Sequence, residues 1–336
     1  MALPPLGDLL EGLRVVSIPM RVRFRGVEHR EAALLRGPAG WGEFSPFLEY
    51  GAPEASRWLA SALEAAWVGW PEPLRHRIPV NATVPAVAPD QVQRVLARYD
   101  GCTTAKVKVA EPGQSLGDDL ARVAAVREAM GPAARVRVDA NGGWDLRQAR
   151  DAIGALAAYR LEYAEQPCAT VEELARLRVA LARNGIDVPI AADESIRRAE
   201  DPLRVARARA ADIVVVKVAP LGGVRPALAV AAECGLPAVV SSALDTSVGI
   251  AGGAALAAAL PDLPFACGLG TVELLAGDVA RPSLVPSGGS IPVAAAAVDE
   301  GLLGELAAGP ERTRWWRERV IRCHGLLAAG AGGQVG

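Results

Sequence analysis

Thr104-Ala105-Lys106-Val107-Lys108-Val109 opens a stretch that closes on Ile213-Val214-Val215-Val216-Lys217, and every lysine of the chain lies within it. The 36 basic residues are 3 Lys and 33 Arg. Arginine serves wherever a permanent cation is enough, since its guanidinium does not lose its proton in a protein. A site that needs an amine able to give up and take back a proton cannot accept that replacement. Between the lysines stand Asp139, Glu165 and Asp193, each closing a short apolar run. These six side chains are expected to form one active site.

Both ends of the stretch belong to a series. Apolar runs that read as strands occur at Pro79–Val84, Thr104–Val109, Arg135–Asp139, Leu161–Glu165, Pro189–Asp193, Ile213–Lys217, Ala238–Ser242 and Phe265–Leu269, their starts 24 to 31 residues apart. Ala- and Arg-rich segments between them, such as Leu116–Met130, Leu146–Tyr159, Val171–Asn184 and Leu203–Ala210, carry helical periodicity. Eight strands alternating with seven helical connections predict a parallel α/β barrel. Doubly wound sheets share the alternation but rarely repeat so evenly. Barrel enzymes place their sites at the C-terminal ends of the strands. Asp139, Glu165, Asp193 and Lys217 each end a strand, Ser241, Ser242 and Gly268 hold equivalent positions on the last two, and Asn81 lies on the first.

Residues 1–77 read as an α+β module with a helix at Ala55–Trp67, residues 78–271 as the barrel, residues 272–327 as a segment returning to the module, and residues 328–336, rich in Ala and Gly, as a frayed tail. Ile18–Val27 and Phe44–Gly51, rich in Pro, Gly, Arg and aromatics, look like loops that touch a ligand, or ordinary surface connections. With 36 basic and 38 acidic residues and no basic block, nothing suggests a nucleic-acid partner. The longest nearly apolar run, Val248–Leu260, is too short for a bilayer and broken by glycines, so no membrane partner is expected. Met1–Leu10 lacks signal-peptide character, and a cytoplasmic location is the expectation. The five cysteines and three histidines have no ligand-like spacing, which favours free thiols over disulfides or zinc. The sequence leaves the oligomeric state open, a monomer included.

Lys106 and Lys108, two apart on a strand, project from one face into the barrel. Lysine normally titrates near ~10.4; a second ammonium and a metal nearby would lower that value. Arg137-Val138-Asp139 pairs a cation and a carboxylate in the same way on the next strand. Three neighbouring buried carboxylates repel one another unless a cation joins them, and an all-oxygen set selects a hard ion such as Mg2+. A structural network of acids and arginines, or lysines exposed on an edge strand, is the alternative. Lys217 faces inward from across the mouth. A metal-held carboxylate with amines on both faces suits removal of an α-proton, the enediolate being stabilised by the metal.

Lys106-Val107-Lys108, Asp139-Ala140-Asn141, Glu165-Gln166-Pro167, Asp193-Glu194-Ser195 and Lys217, in this order and spacing, resemble the enolase superfamily, muconate-lactonising subgroup. The resemblance implies a modified (β/α)7β TIM-type barrel with an α+β capping domain, and Mg2+, with Mn2+ as a substitute, on Asp139, Glu165 and Asp193. Further segments, Ser17–Gly26, Pro79–Val87, Ser241–Gly249 and Ala266–Thr271, imply a hydro-lyase acting on a small carboxylate, 2-succinyl-6-hydroxy-2,4-cyclohexadiene-1-carboxylate, in menaquinone biosynthesis. In that reading Lys108 is base and then acid, Lys217 a stabilising cation, and Lys106 an electrostatic aid. Arg137, Asn141, Ser241, Ser242 and Gly268 would bind substrate. N-Succinylamino acid racemase or dipeptide epimerase is the implied alternative. A Schiff-base aldolase using Lys217 stands apart, leaving the carboxylates without a purpose.

Overall fold

Three strands build the capping layer. In the computed structural model, which describes residues 3–24, 26–197 and 201–332, a short helix α1 (Leu6–Glu11) precedes β1 (Arg14–Phe24), β2 (Val27–Gly37) and β3 (Gly40–Phe44), an antiparallel sheet in that order. Ile18–Val27 therefore includes the distal part of a β-hairpin where a loop was expected; Arg25 lies outside the described residues. Pro19 is tolerated because β1 is an edge strand, and the pairing register slips between Pro19 and Phe24. Helix α2 (Ala52–Leu63) buries Trp58, Leu59 and Leu63 and ends in a π turn at Glu64–Val68, where the sequence suggested helix to Trp67. It lies so close to β3 that a Cβ on Gly42 would stand 2.0 Å from the Ala62 carbonyl oxygen.

The repeat then begins. After β4 (Arg77–Pro79) come β5 (Ala82–Val84), α3 (Val92–Leu96), β6 (Thr104–Lys108), α4 (Leu116–Met130), β7 (Arg135–Asp139), α5 (Leu146–Leu156), β8 (Leu161–Glu165), α6 (Val171–Arg183) and β9 (Ile190–Ala192). Short helices α7 (Glu194–Arg197) and α8 (Arg204–Arg207) lead to β10 (Ile213–Val216), and α9 (Val218–Leu221) and α10 (Val224–Cys234) to β11 (Ala238–Val240). Helix α11 (Ser247–Ala259) completes the crossovers. Capping boxes at Ser115/Asp118, Asp145/Gln148 and Thr170/Glu173 satisfy the free amides that start α4, α5 and α6.

Among the described residues, the parallel sheet runs β5-β6-β7-β8-β9-β10-β11. The expected eighth strand, Phe265–Leu269, is represented by two parallel bridges that close the ring, Val80 with Cys267 and Ser241 with Gly268. Backbone amides of Asn81 and Ser242 donate to the Cys267 and Gly268 carbonyls at 3.0 and 3.1 Å. Outward-facing strand residues such as Val136, Val138, Val214 and Val216 form the main core beneath the helices. Inside the ring, Tyr163, Ala191, Ile213, Val215 and Val239 pack with Phe265 as a separate plug.

Beyond the ring, β12 (Ser290–Pro292) pairs antiparallel with β4. Helices α12 (Glu300–Glu305) and α13 (Pro310–Gly332) follow, and Trp316, Val320 and Cys323 of α13 join Phe44 and Trp58 in the core of the cap. Residues 328–332 of the tail are helical, and its last four residues lie outside the described residues. Among the described residues no helix is long and apolar enough to cross a membrane, and all five cysteines are free thiols.

Candidate active site

The strand ends carry the charged groups to one mouth. Parallel pairing sets Lys108 beside Asp139 and Asp139 beside Glu165, and Asp193 directly follows β9. Lys106, Lys108, Asp139, Glu165, Asp193 and Lys217 are all buried. The Lys106 ammonium donates to Asp139 Oδ2 at 3.0 Å and Glu165 Oε1 at 2.9 Å. Lys108 donates to Asp139 Oδ2 at 2.5 Å and to Asn141 Oδ1 at 2.6 Å. Opposite them, Lys217 donates to Asp193 Oδ2 at 2.6 Å. Its strand, β10, is four places round from β6, half of an eight-position ring.

Two motif residues hold these groups, Gln166 through its side chain and Asn141 through both its backbone amide and its side chain. Gln166, whose own backbone is left-handed (φ 39°), accepts from the Asp193 and Ser195 amides at 2.9 and 3.2 Å and donates to Ser195 Oγ at 2.8 Å. Asn141 (φ 48°) donates its amide to Asp139 Oδ1 at 3.1 Å while its side chain donates to Glu194 Oε1 at 3.2 Å. Asn tolerates that conformation better than most residues.

Electrostatics separate the acids. Burial alone would raise Asp139, yet Lys106 and Lys108 hold it well below the usual carboxylate range. Asp193, also against burial, is held at about 2 by Lys217 and Arg197. Glu165 is pushed up to about 7, first by burial and then by Asp139 and Asp193. With no metal ion beside it, burial acts downward on Lys106, but Asp139 and Glu165 raise it well above the ordinary lysine value; the lowered amine expected from the sequence belongs to the metal-bound site. The carboxylates outweigh the neighbouring ammonium because they touch it.

A narrow cavity opens onto Lys106, Lys108, Asp139 and Lys217, while Glu165 and Asp193 lie outside its lining. Lys106, Lys108, Asp139, Asn141, Lys217, Ser241, Ser242 and Gly268 line it together. Ser242 Oγ pairs with Thr271 Oγ1 at 2.6 Å, and a Cβ on Gly268 would meet Ser241 Oγ at 2.5 Å. Arg137 does not line it, contrary to the sequence expectation of substrate contact. It is fully buried among Glu162, the Ala266 carbonyl at 2.7 Å and the Tyr163 ring, 4.7 Å from its guanidinium carbon. Alternation put Arg137 on the inward face correctly, but two residues along a strand is about 6.6 Å of depth. Lys106 pairs with Arg137 across the strands and reaches the mouth by extending its side chain to Asp139 and Glu165.

Sequence reading missed Phe24, Phe47, Thr83, Leu244 and Thr271 as cavity walls. Phe24 and Phe47 fall in the two segments flagged for possible ligand contact, and the Lys108 ammonium lies 5.1 Å from the Phe24 ring centre. Arg319 of α13 fixes the second segment by donating to the Phe47 and Tyr50 carbonyls at 2.9 and 2.7 Å.

Asp139, Glu165 and Asp193 fit a hard divalent cation by donor chemistry. All are carboxylates, their charges act on one another, and Asp193 Oδ1 has no aligned hydrogen bond although Arg197 Nε stands 3.2 Å away. Among the described residues no three His, Cys or carboxylate side chains already converge as ligands; the Lys106 ammonium bridges Asp139 and Glu165, and Lys217 holds Asp193.

A ring of parallel strands under an α+β cap, with lysines facing each other over acids at successive strand ends, defines a class. Residues 88–302 match the enolase C-terminal domain-like family and residues 15–66 the enolase N-terminal domain-like family; the chain belongs to the enolase superfamily. It is 61% identical over 325 residues to an o-succinylbenzoate synthase of Mycolicibacterium smegmatis, covering 96% of this chain and 98% of that one. An o-succinylbenzoate synthase of Thermobifida fusca is 58% identical, over 91% and 94% of the two chains. The fold is also that of the muconate lactonizing enzyme from Pseudomonas fluorescens, with a TM-score of 0.74 at 23% identity over 88% of this chain and 98% of the other.

Proposed function

We propose that the chain is a hydro-lyase that dehydrates 2-succinyl-6-hydroxy-2,4-cyclohexadiene-1-carboxylate to o-succinylbenzoate, in menaquinone (vitamin K2) biosynthesis. The observation that carries this reading is the meeting of Lys108 and Lys217 in one cavity from opposite sides of the ring, in a chain so similar to o-succinylbenzoate synthases. Lys108 takes the proton from the carbon α to the carboxylate, and the electrons of the broken C–H bond pass into an enediolate. The Lys217 ammonium faces that developing charge from the other side. Lys108 then returns its proton to the departing hydroxyl, the C–O bond breaks, and water leaves as the ring becomes aromatic. Asn141 orients Lys108 through the bond from its ammonium. Lys106 stays a cation and holds Asp139 and Glu165 together. Ser241, Ser242 and Gly268 border the succinyl arm. Mg2+, with Mn2+ as a substitute, would be held by Asp139, Glu165 and Asp193 and supplies when bound the positive charge that acidifies the α-carbon. The protein acts in the cytoplasm in this reading.

Two lysines on opposite faces also suit proton exchange at one carbon, so N-succinylamino acid racemisation is the second reading. Purified protein with Mg2+ is expected to consume the diene acid and to stop when the cation is chelated. α-Deuterium incorporation into N-succinyl amino acids in D2O measures the second activity, and turnover of those alone would reverse the order of the two readings.

A further inference from the structure

A wall of the cavity is held by a residue of the cap. Ser241–Thr246, between β11 and α11, lines the cavity with Ser241, Ser242, Ala243 and Leu244, and Leu244 sits in the left-handed region at φ 63°. A branched side chain is disfavoured there, so the surroundings must fix that backbone. Arg30 of β2, 214 positions away in sequence, donates from Nε to the Leu244 carbonyl at 2.9 Å and from Nη2 to the Ala243 carbonyl at 3.1 Å. The same Nη2 donates to Ser45 Oγ at 2.9 Å and to the Ser45 carbonyl, and the guanidinium lies 4.8 Å from the centre of the Phe47 ring, another wall. Ser45 in turn donates at 2.7 Å to Glu43, which accepts from Thr246 Oγ1 at 2.6 Å and from the Gly249 amide at 3.0 Å. Arg30 is 3% exposed and touches none of the acids at the mouth directly in these bonds.

We propose that Arg30 is a positioning residue for substrate: one planar fork fixes the Ala243 and Leu244 carbonyls and the Phe47 ring, so that the barrel wall and the cap wall close around the ligand as one unit. The proposal rests on the reading of this cavity as the substrate site. A lysine could keep the charge there but not the fork. Simple docking of cap on barrel is a separate matter, served for example by Glu64, which accepts from the Val224 and Arg225 amides and from Arg225 Nη1 away from the cavity.

The test compares steady-state dehydration and thermal unfolding of wild type, Arg30→Met, Arg30→Lys, Ser45→Ala and Glu64→Gln. Loss of wall positioning should raise KM for the diene acid about tenfold in Arg30→Met and about threefold in Arg30→Lys and Ser45→Ala, with kcat changed less than KM. Glu64→Gln should lower the melting temperature and leave KM within about twofold. If Arg30→Met does not fold, Arg30→Lys and Ser45→Ala decide by the same criterion. Wild-type KM in the folded Arg30 and Ser45 variants, or an equal rise in Glu64→Gln, overturns the proposal. Absence of turnover in the wild type would instead overturn the functional reading beneath it.

Discussion

Lys106 carries the strongest claim that a single side chain can make for this site, because its ammonium joins two buried carboxylates, Asp139 and Glu165. Removing one partner of a buried ion pair strands the other, so Lys106→Met should lose about 3–5 kcal/mol of stability in denaturant titrations, and saturating Mg2+ should return much of it. A loss under 1 kcal/mol, taken as about the scale of an exposed pair, would mean the contact contributes little. Lys217→Arg separates the two chemistries: a cation suffices for dehydration but not for proton exchange. That variant should keep part of the dehydration and lose any α-deuterium exchange, and complete loss of dehydration in folded protein would contradict the assigned role. At this scale the sequence was legible where residue choice was unusual, as with three lysines among 33 arginines. Arg137, a substrate contact in the reading that the resemblance implied, lies outside the cavity lining, and period-two alternation, which gives a face and not a depth, could not show it.

Between elements, the junction of β3 with α11 makes a pH-dependent contact. Glu43, pushed up to about 7 by burial and then by Asp245, accepts from the Thr246 and Gly249 amides at the start of α11, with Arg30 acting the other way. An unperturbed Glu titrates near ~4.3, so folding favours the protonated form. That contribution is complete below the unfolded value and is lost as pH rises through about 7. Melting temperature should therefore fall between about pH 5 and pH 8 more steeply in wild type than in Glu43→Gln, and parallel curves would remove Glu43 as the cause. Strands of the repeat were most legible where both faces are buried and apolar, as in Ile213–Val216. Phe265–Leu269 forms the two closing bridges, and the β1–β2 hairpin was hidden by Pro19, Gly26 and the arginines that break its alternation.

For the molecule as a whole, the cap and the ring meet at one cavity, lined by Phe24 and Phe47 of the cap and by the lysines of the ring, and the returning helix α13 supports it through Arg319. The even spacing of eight runs gave the ring, and the strand-end acids gave its working face. What spacing could not supply was the contact between distant segments: Arg30 with Leu244, and Arg319 with Phe47. Such contacts depend on how two separately patterned layers meet, which no local period encodes. The central claim is that Lys108 moves the proton in a dehydration. The most direct measurement is the rate of o-succinylbenzoate formation from the diene acid with Mg2+, in wild type and in Lys108→Ala. Wild type should turn over and the variant, still folded by circular dichroism, should be slower by a factor of about 10³ or more. An inactive wild type, or a variant within about tenfold of it, would contradict the account.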